Sequence, residues 1–317
     1  MAEWVLSAER DGTEGAANLP EGVRLGRMVT IDGARAHIIE EGEGRPVLLL
    51  HGLGGLAQEI VEPLQGLSRW GRVIAVDRPG YGLSDPLPRE QMAADQQARW
   101  LARLLTRLEA HRPVIVAHSL AASVAISFAM QYPRAVAGLV LLAPFARPTR
   151  PAAMPMLRLA TAPVVGGAVR TLIVPWLAHL VAPAKLRALC APDPVPACLE
   201  RLPVAHAARA SALLSMAAEL HGFNGAMIPA ARALPRLTVP TAIIAGTADR
   251  IVPFDRHAYW LSRRMPQAKL EMLPGVGHMP HHCRPEVVMK AVAEHWSAAP
   301  RGMLRGAYSN APLPSGR

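Results

Sequence analysis

Short apolar runs of strand length, separated by longer helical segments, are the feature that most constrains how this 317-residue chain folds. These runs are apolar at successive positions rather than at alternate ones. Four of them precede the middle of the chain, at 46–50, 72–76, 114–117 and 138–142. Strands that are apolar on both faces and alternate with helices are typical of a parallel sheet buried on both sides. We therefore predict an α/β fold, with a mostly parallel twisted sheet and helices on both faces.

Helices and a hairpin complete this pattern. Apolar residues recur at helical spacing in 89–110, and the stretch 119–132 is small and apolar almost all round, which is typical of a helix packed on a sheet. Two short extended stretches between residues 27 and 41 flank Asp32-Gly33, which is a hairpin signal. Two later strands and a last helix are predicted at 241–246, 269–273 and 285–296.

The stretch 147–236 interrupts the alternation. It is rich in Pro, Ala, Leu and Met, contains no clear strand, and has the pattern of several short helices. We predict that it is a helical cap inserted into the sheet domain. The core then comprises 26–146 and 237–298, with a flexible N-terminal segment at 1–25 and a flexible tail at 299–317.

The formal net charge of +10 raises the question of an acidic partner. Almost all of the positive charge is arginine spread along the chain, with lysine only at Lys185, Lys269 and Lys290. No run of five basic residues and no basic segment with interleaved aromatics occurs, so we expect no nucleic-acid partner. A basic surface can still attract anionic lipid or substrate, so peripheral contact with a membrane stays open.

The cysteines and the hydropathy of the chain indicate the cellular compartment and whether a metal site is expected. Cys190, Cys198 and Cys283 are odd in number and lack metal-ligand spacing, so we expect reduced thiols. The first 20 residues lack the apolar core of a signal peptide, and no apolar run is long enough to cross a bilayer. We expect a soluble, cytoplasmic protein without a metal or other cofactor; the sequence does not indicate its oligomeric state.

Residue types suited to catalysis come directly after the predicted strands. They are found at 51–55, 77–84 and 117–121, and at Asp249 and His278. Because open α/β sheets bind their ligands at the carboxyl ends of the strands, we predict the functional site at this edge of the sheet.

These motifs resemble the α/β-hydrolase superfamily. The segment Asp-Arg-Pro-Gly-Tyr-Gly-Leu-Ser at 77–84 and the chain order Ser119, Asp249, His278 are specific when they occur together, and the likeness runs through 26–297. The resemblance implies the α/β-hydrolase fold and a serine hydrolase, carboxylesterase-like or lipase-like, with a helical cap.

The resemblance also implies a role for each of three side chains. Ser119 is the expected nucleophile on a sharp strand-to-helix turn, where the family usually has glycine at the two places occupied here by Ala117 and Ala121. A serine hydroxyl needs a base, and the base needs a carboxylate that holds one tautomer. His278 is in the family position of the base and Asp249 in that of the acid.

Four other histidines lie near these positions. We expect His51 to support the loop behind the oxyanion site, and His118 to point away on the turn. His281 and His282 could flank the pocket, but no partner spacing supports a metal site built from them.

Backbone groups and nearby acids complete the predicted site. An acyl tetrahedral intermediate needs N–H donors aimed at its oxyanion, and the resemblance implies those of Leu53 and Leu120. Asp255, the nearest rival to the predicted acid, is expected to be a solvated or capping residue. Asp77 and Ser84 are expected to brace their loop rather than to react.

The predicted function is cleavage of an ester, or a related acyl bond, of an apolar small molecule. Two alternatives stay open: a carbon–carbon bond hydrolase of a ring-cleavage product, which uses the same three residues, and a non-catalytic binding or accessory protein, which the two alanines favour. Six residues of the insertion either line an apolar pocket or simply pack the cap against the core. They are Met154, Met156, Trp176, Met216, Phe223 and Met227.

Overall fold

The computed structural model describes residues 26–149, 154–202 and 208–298. The N-terminal segment and the tail predicted at 1–25 and 299–317 lie outside the described residues. Among the described residues, no single helix combines the length and the apolarity needed to span a bilayer.

The described chain builds one eight-stranded sheet in the order β1-β2-β4-β3-β5-β6-β7-β8. The strands are β1 Arg27–Ile31, β2 Ala34–Glu41, β3 Pro46–Leu50, β4 Arg72–Val76, β5 Val114–His118, β6 Gly138–Leu142, β7 Thr241–Gly246 and β8 Ala268–Leu273. From β4 to β8 along the sheet all neighbours are parallel, while β2 pairs antiparallel with both β1 and β4. The predicted α/β fold with a mostly parallel sheet is confirmed.

Helices cover both faces of the sheet. They are α1 Ala57–Val61, α2 Ala94–Arg107, α3 Ala121–Gln131, α4 Pro155–Ala160, α5 Gly166–Ala168, α6 Val174–Cys190, α7 Ala197–Glu200, α8 Ala210–Ala233, α9 Trp260–Arg264, α10 Pro280–Cys283 and α11 Pro285–Ala298. Successive strand residues point to opposite faces. Leu48 and Leu50 therefore share a core with α2, α3 and α8, whereas Val47 and Leu49 share one with α1 and α11.

The helix predicted at 89–110 is shorter in the structure. A 3₁₀ turn, Arg89–Gln91, precedes α2, and α2 ends at Arg107. Glu109 has a φ of 52°, a left-handed conformation that does not continue a helix.

The segment between β6 and β7 is helical, with no strand among its described residues. Its longest helix, α8, is fastened to the sheet domain, because Phe223 and Met227 are buried in the same core as α2 and α3. Its other helices, α4 to α7, bury only small apolar clusters. The insertion is thus anchored mainly by one long helix, while Cys190 at the end of α6 and Leu199 on α7 also pack against Met279 of the sheet domain.

Candidate active site

Ser119 lies on the turn between β5 and α3, at the carboxyl edge of the sheet. Its φ of 53° is in the left-handed region, which is uncommon for a residue other than glycine. The strained turn is held in place because the Ser119 N–H donates to the Leu142 carbonyl at 2.8 Å, and the Ser119 carbonyl accepts from the Phe145 N–H at 2.9 Å. The hydroxyl is thereby presented at the N-terminal end of α3.

The alanines on either side of this turn are compatible with it. Ala117 is in β5 and Ala121 is the first residue of α3, and neither is among the positive-φ residues of the described chain. Both are fully buried. The left-handed conformation therefore falls on Ser119 alone, and each alanine occupies a backbone conformation that alanine readily adopts.

One hydrogen-bonded chain brings together the three side chains predicted for the site. Oγ of Ser119 lies 3.1 Å from Nε2 of His278, and Nδ1 of His278 lies 2.7 Å from Oδ2 of Asp249. All three residues are buried, Ser119 being the most accessible at 8%. Because the carboxylate accepts the proton of Nδ1, Nε2 is left as the acceptor that faces the hydroxyl.

Asp249 is itself held by the backbone that follows β7. Its Oδ1 accepts the N–H groups of Ile251 and Val252, each at 2.8 Å, so only Oδ2 is directed at His278. Asp255, the rival acid, is exposed and begins the helical turn Asp255–Tyr259. The structure thus places Asp249, and not Asp255, against the imidazole.

Two backbone N–H groups near Ser119 are free to donate. Within the described residues, neither the N–H of Leu53 nor that of Leu120 donates to a backbone carbonyl. Gly52 lies so close to Ser119 that a Cβ on this glycine would be 3.1 Å from the serine Cβ. The loop that carries Leu53 therefore runs directly beside the serine.

A family model of the alpha/beta hydrolase family matches residues 47–291, which spans every residue named in this geometry. The chain belongs to the α/β-hydrolase family. It is an enzyme of the hydrolase type, and the family resemblance expected from the sequence is confirmed.

Relatives of this α/β-hydrolase include an uncharacterized protein and two hydrolases with different substrates in their names. It is 31% identical over 307 residues to the uncharacterized protein Rv2715 of Mycobacterium tuberculosis, covering 87% of this chain and 85% of the relative. It is 28% identical to a 2-(acetamidomethylene)succinate hydrolase of Mesorhizobium japonicum, covering 87% and 97%. Over a shorter stretch, 37% of this chain and 44% of the relative, it is 33% identical to a 2-hydroxy-6-oxo-2,4-heptadienoate hydrolase of Pseudomonas putida.

Solved structures show the same architecture. A thermophilic esterase from Thermogutta terrifontis superposes with a TM-score of 0.67 at 26% identity, covering 85% of this chain and 96% of the esterase. An α/β-hydrolase-fold protein from Burkholderia ambifaria gives a TM-score of 0.70 at 23% identity, covering 86% and 98%.

In this hydrolase, His118 contacts the backbone of His278. Its Nε2 lies 2.9 Å from the His278 carbonyl, so the ring is turned away from the Ser119 hydroxyl. Burial, together with the neighbouring imidazoles of His281 and His278, holds the pKa of His118 well below its ordinary value. The ring is therefore neutral and donates its Nε2 proton to that carbonyl.

A buried carboxylate that the sequence did not reveal lies behind this group. Oε1 of Glu59, on α1, is 2.6 Å from Nε2 of His281 and 3.1 Å from Nε2 of His282, both on α10. Burial opposes ionisation of Glu59, but the two imidazoles outweigh it and hold the pKa of its carboxyl well below its usual range. Residues 222 positions apart form this contact, so no local motif could have indicated it.

Glu59, His118 and His281 also have the ligand types of a zinc site, with candidate ligand atoms within 4.8 Å of one another. Hydrogen bonds occupy Oε1 of Glu59 and Nε2 of His118 and His281, while Nδ1 of each histidine has no hydrogen-bond partner among the described residues. The bond from His118 to the His278 carbonyl links this group to the backbone of His278.

The loop after β4 is braced by Asp77. Its side chain accepts the N–H groups of Ala57 at 2.7 Å and Leu83 at 3.0 Å, and pairs with Nδ1 of His37 at 2.8 Å. Ser84 donates its hydroxyl proton to the Asp77 carbonyl at 2.6 Å. Neither side chain makes a hydrogen bond to Ser119 or His278, so both hold the loop, as the sequence predicted.

His51 is likewise structural. Its Nδ1 lies 2.8 Å from the Gly52 carbonyl, and its Nε2 accepts the Arg78 N–H at 2.9 Å. Burial and the neighbouring Arg78 lower the pKa of His51 to about 4, which keeps the ring neutral. It supports the loop that leads to Leu53.

A second buried network joins the core to α8. The guanidinium of Arg78 pairs with the carboxylate of Glu219, which also accepts the Tyr81 hydroxyl at 2.7 Å and the side-chain amide of Gln97. All four residues are buried. The sequence motif at 77–84 contained Arg78 and Tyr81 but did not indicate their partner on α8.

The structure places the six insertion residues that were considered for a pocket lining in different environments. Phe223 and Met227 are buried in the main core, while Met154, Met156 and Trp176 are exposed. Only Met216 adjoins the loop beside Ser119, since its Cε and Sδ lie 3.7 and 3.8 Å from the position of a Cβ on Gly54. Packing and exposure therefore account for five of the six.

Proposed function

We propose that this hydrolase cleaves an ester, or a related acyl bond, of an apolar small molecule through an acyl-enzyme intermediate. The observation that carries the proposal is the buried hydrogen-bonded chain from Ser119 through His278 to Asp249. Such a chain serves to activate a serine hydroxyl, and the full-length likeness to an esterase structure agrees with this chemistry.

Each side chain has a role in the proposed cycle. His278 accepts the Ser119 proton as Oγ attacks the substrate carbonyl, and then returns that proton to the leaving group. Asp249 keeps the imidazole in the productive tautomer and stabilises its charged form. In a second round a water molecule, deprotonated by His278, attacks the acyl-enzyme and releases Ser119.

The N–H groups of Leu53 and Leu120 are the proposed donors to the oxyanion. Both lack a backbone acceptor within the described residues, and both flank the serine. Donors that are unpaired in the resting enzyme need no rearrangement when negative charge develops on the substrate oxygen. The N-terminal end of α3 adds a favourable dipole at the same point.

We also propose that residues 147–236 form a cap over this site, as the sequence predicts. α8 contributes Met216 next to the loop of Gly54, and α6 ends at the site, because the Leu189 carbonyl accepts the His278 N–H at 3.2 Å. The apolar side chain of Met216 beside this loop and the absence of acidic residues between Ala110 and Pro192 favour an apolar, uncharged or anionic substrate over a cationic one.

A carbon–carbon bond hydrolase is the second candidate. The same three residues serve that reaction, and the likeness to a 2-hydroxy-6-oxo-2,4-heptadienoate hydrolase supports it, although over 37% of the chain only. Ester probes of graded acyl length, assayed beside a vinylogous diketone acid, separate the two candidates. Ester turnover at least tenfold faster than diketone cleavage is the expected result.

The decisive experiment is labelling with a fluorophosphonate probe. We expect a single phosphonyl adduct on Ser119, no adduct in Ser119→Ala, and labelling at least a hundredfold slower in His278→Ala. Ser123→Ala is the matched control, since this buried serine donates its hydroxyl proton to the Leu120 carbonyl instead of meeting a base. A folded wild-type protein that does not react would favour the non-catalytic binding role.

A further inference from the structure

The insertion carries an exposed hydrophobic surface, which we call the apolar patch. It consists of six side chains on and just before α5 and α6: Val164, Val165, Leu172, Ile173, Trp176 and Leu180. Leu172 is 74% exposed, Trp176 70% and Leu180 65%. Single exposed apolar residues are ordinary, but a run of large ones in one short segment marks a binding surface.

Part of the patch lies on one side of α6. Trp176 and Leu180 are four residues apart in this helix, which places their side chains on the same side, whereas Leu172 lies in the helical segment that precedes it. The helical segments Gly166–Ile173 and Trp176–Cys190 meet at 72°, so they do not form one straight span. A tryptophan among leucines on an exposed helix is typical of a segment that lies in the interface of a bilayer.

Charge around the patch selects its partner. The sequence contains no aspartate or glutamate from Ala110 to Pro192, whereas Arg158 on α4 and Lys185 and Arg187 on α6 are exposed. Basic side chains beside an inserted apolar surface are attracted to anionic lipid headgroups. A second copy of this chain is the poorer occupant, because a symmetric contact would bring these basic residues together.

We infer that the apolar patch docks the enzyme on the surface of an anionic phospholipid bilayer. The apolar side chains enter the headgroup boundary, and the three basic side chains contact the lipid phosphates. The enzyme lies on the membrane and does not cross it. This binding needs no hydrolysis, so it stands or falls separately from the proposed function.

Docking at this place is connected to the active site through α6. Trp176 and Leu180 lie near the beginning of that helix, and the Leu189 carbonyl near its end accepts the His278 N–H. Next to it, the Ala191 carbonyl is so close to Gly277 that a Cβ there would lie 2.1 Å away. The helix that meets the lipid is therefore the helix whose other end contacts the backbone of the proposed base.

The test is flotation of the full chain with vesicles of phosphatidylcholine, alone or mixed with phosphatidylglycerol. We expect binding to the mixed vesicles, little binding to phosphatidylcholine alone, and release by high salt or alkaline carbonate. Replacing Leu172 and Trp176 together by serine should lower the bound fraction at least tenfold. Replacing Trp70 and Met272 by serine is the matched control, because these two are 57% and 53% exposed on the core and should have no effect.

Three results would overturn the inference. They are absence of flotation, equal loss in the control pair, and retention after carbonate, which would indicate a helix that crosses the bilayer. A wild-type dimer that becomes monomeric in the patch variant, without any lipid binding, would assign the patch to self-association instead. Ser119→Ala should float like the wild type, and an unchanged circular dichroism spectrum and melting temperature of the patch variant show that it is folded.

Discussion

At the scale of single residues, the geometry of the candidate active site depends on where hydrogen bonds direct each imidazole. Nδ1 of His278 donates to Asp249 and Nε2 of His278 faces the Ser119 hydroxyl, while Nε2 of His118 donates to the His278 carbonyl. His51 is neutral for a different reason, since burial and Arg78 lower its pKa to about 4. Identical side chains thus differ in function because their surroundings set their tautomer and charge.

Asp249→Asn should lower turnover sharply without unfolding the protein. The amide can no longer accept the Nδ1 proton, so the imidazole loses the tautomer that faces Ser119, and a fall on the order of 10³ to 10⁴ in kcat is expected. Ester hydrolysis and the rate of fluorophosphonate labelling both measure it. Asp255→Asn, an exposed neighbour, should remain within about twofold of the wild type; equal losses in the two variants would contradict the assignment of Asp249.

At the scale of elements, one buried ion pair connects the sheet domain to the insertion. Arg78 follows β4 and Glu219 is on α8, and both are almost completely buried. A buried pair contributes less to stability than its geometry suggests, because both charges lose water. Breaking it is costly, however, since the remaining charge is then buried without a partner.

Glu219→Gln should therefore destabilise the protein by about 3 to 5 kcal/mol in the free energy of unfolding, since it leaves the Arg78 charge uncompensated. Guanidinium unfolding followed by circular dichroism measures this. The matched control is Glu294→Gln, because the pair between Glu294 and Lys269 is exposed at 47% and 82%. Surface pairs of that kind contribute about 0 to 1 kcal/mol, so a similar cost in both variants would be evidence against the buried network.

At the scale of the whole molecule, stability depends on pH through the group behind His278. Burial disfavours the charged form of His282, but hydrogen bonds to Cys198 and Glu59 outweigh it and raise the pKa of His282 to about 9. The unfolded chain has an ordinary histidine pKa of about 6.5. The contribution of His282 is thus complete below about pH 6.5 and is lost as the pH rises through 9.

We expect the contribution of His282 to the free energy of unfolding to fall by about 3 kcal/mol between pH 6.5 and 9.5, since a pKa difference of about 2.5 corresponds to about that energy. Burial also raises the pKa of Cys190 to about 11 and that of Cys283 to about 12, so ionisation of unfolded thiols adds a decline in the same direction above pH 8.5. His282→Gln isolates the histidine contribution. Chemical unfolding at several pH values should give a clearly flatter profile for this variant, and parallel profiles would show that His282 is not charged in the folded state.

The sequence alone determined the sheet and the chain order of the three residues that are proposed to react. Strands buried on both faces must be apolar throughout, so β3 to β7 were visible as continuous runs, and their ends were located to within one residue. The turn between β5 and α3 that carries Ser119 could also be predicted, because Ser119 follows β5 directly. Strands and turns could be predicted because periodicity and turn chemistry depend on residues that are neighbours in the sequence.

Only the tertiary structure decided the partners that come from far along the chain. Glu59 meets His281 across 222 positions and Arg78 meets Glu219 across 141, and a single buried glutamate has no local pattern that distinguishes it from a surface one. The insertion also could not be predicted in detail, because the sequence did not indicate which of its apolar residues face the core and which face solvent. Folding buried Phe223 and Met227 in the core and left Trp176 and Leu172 exposed, since burial depends on which surfaces meet and not on hydrophobicity alone.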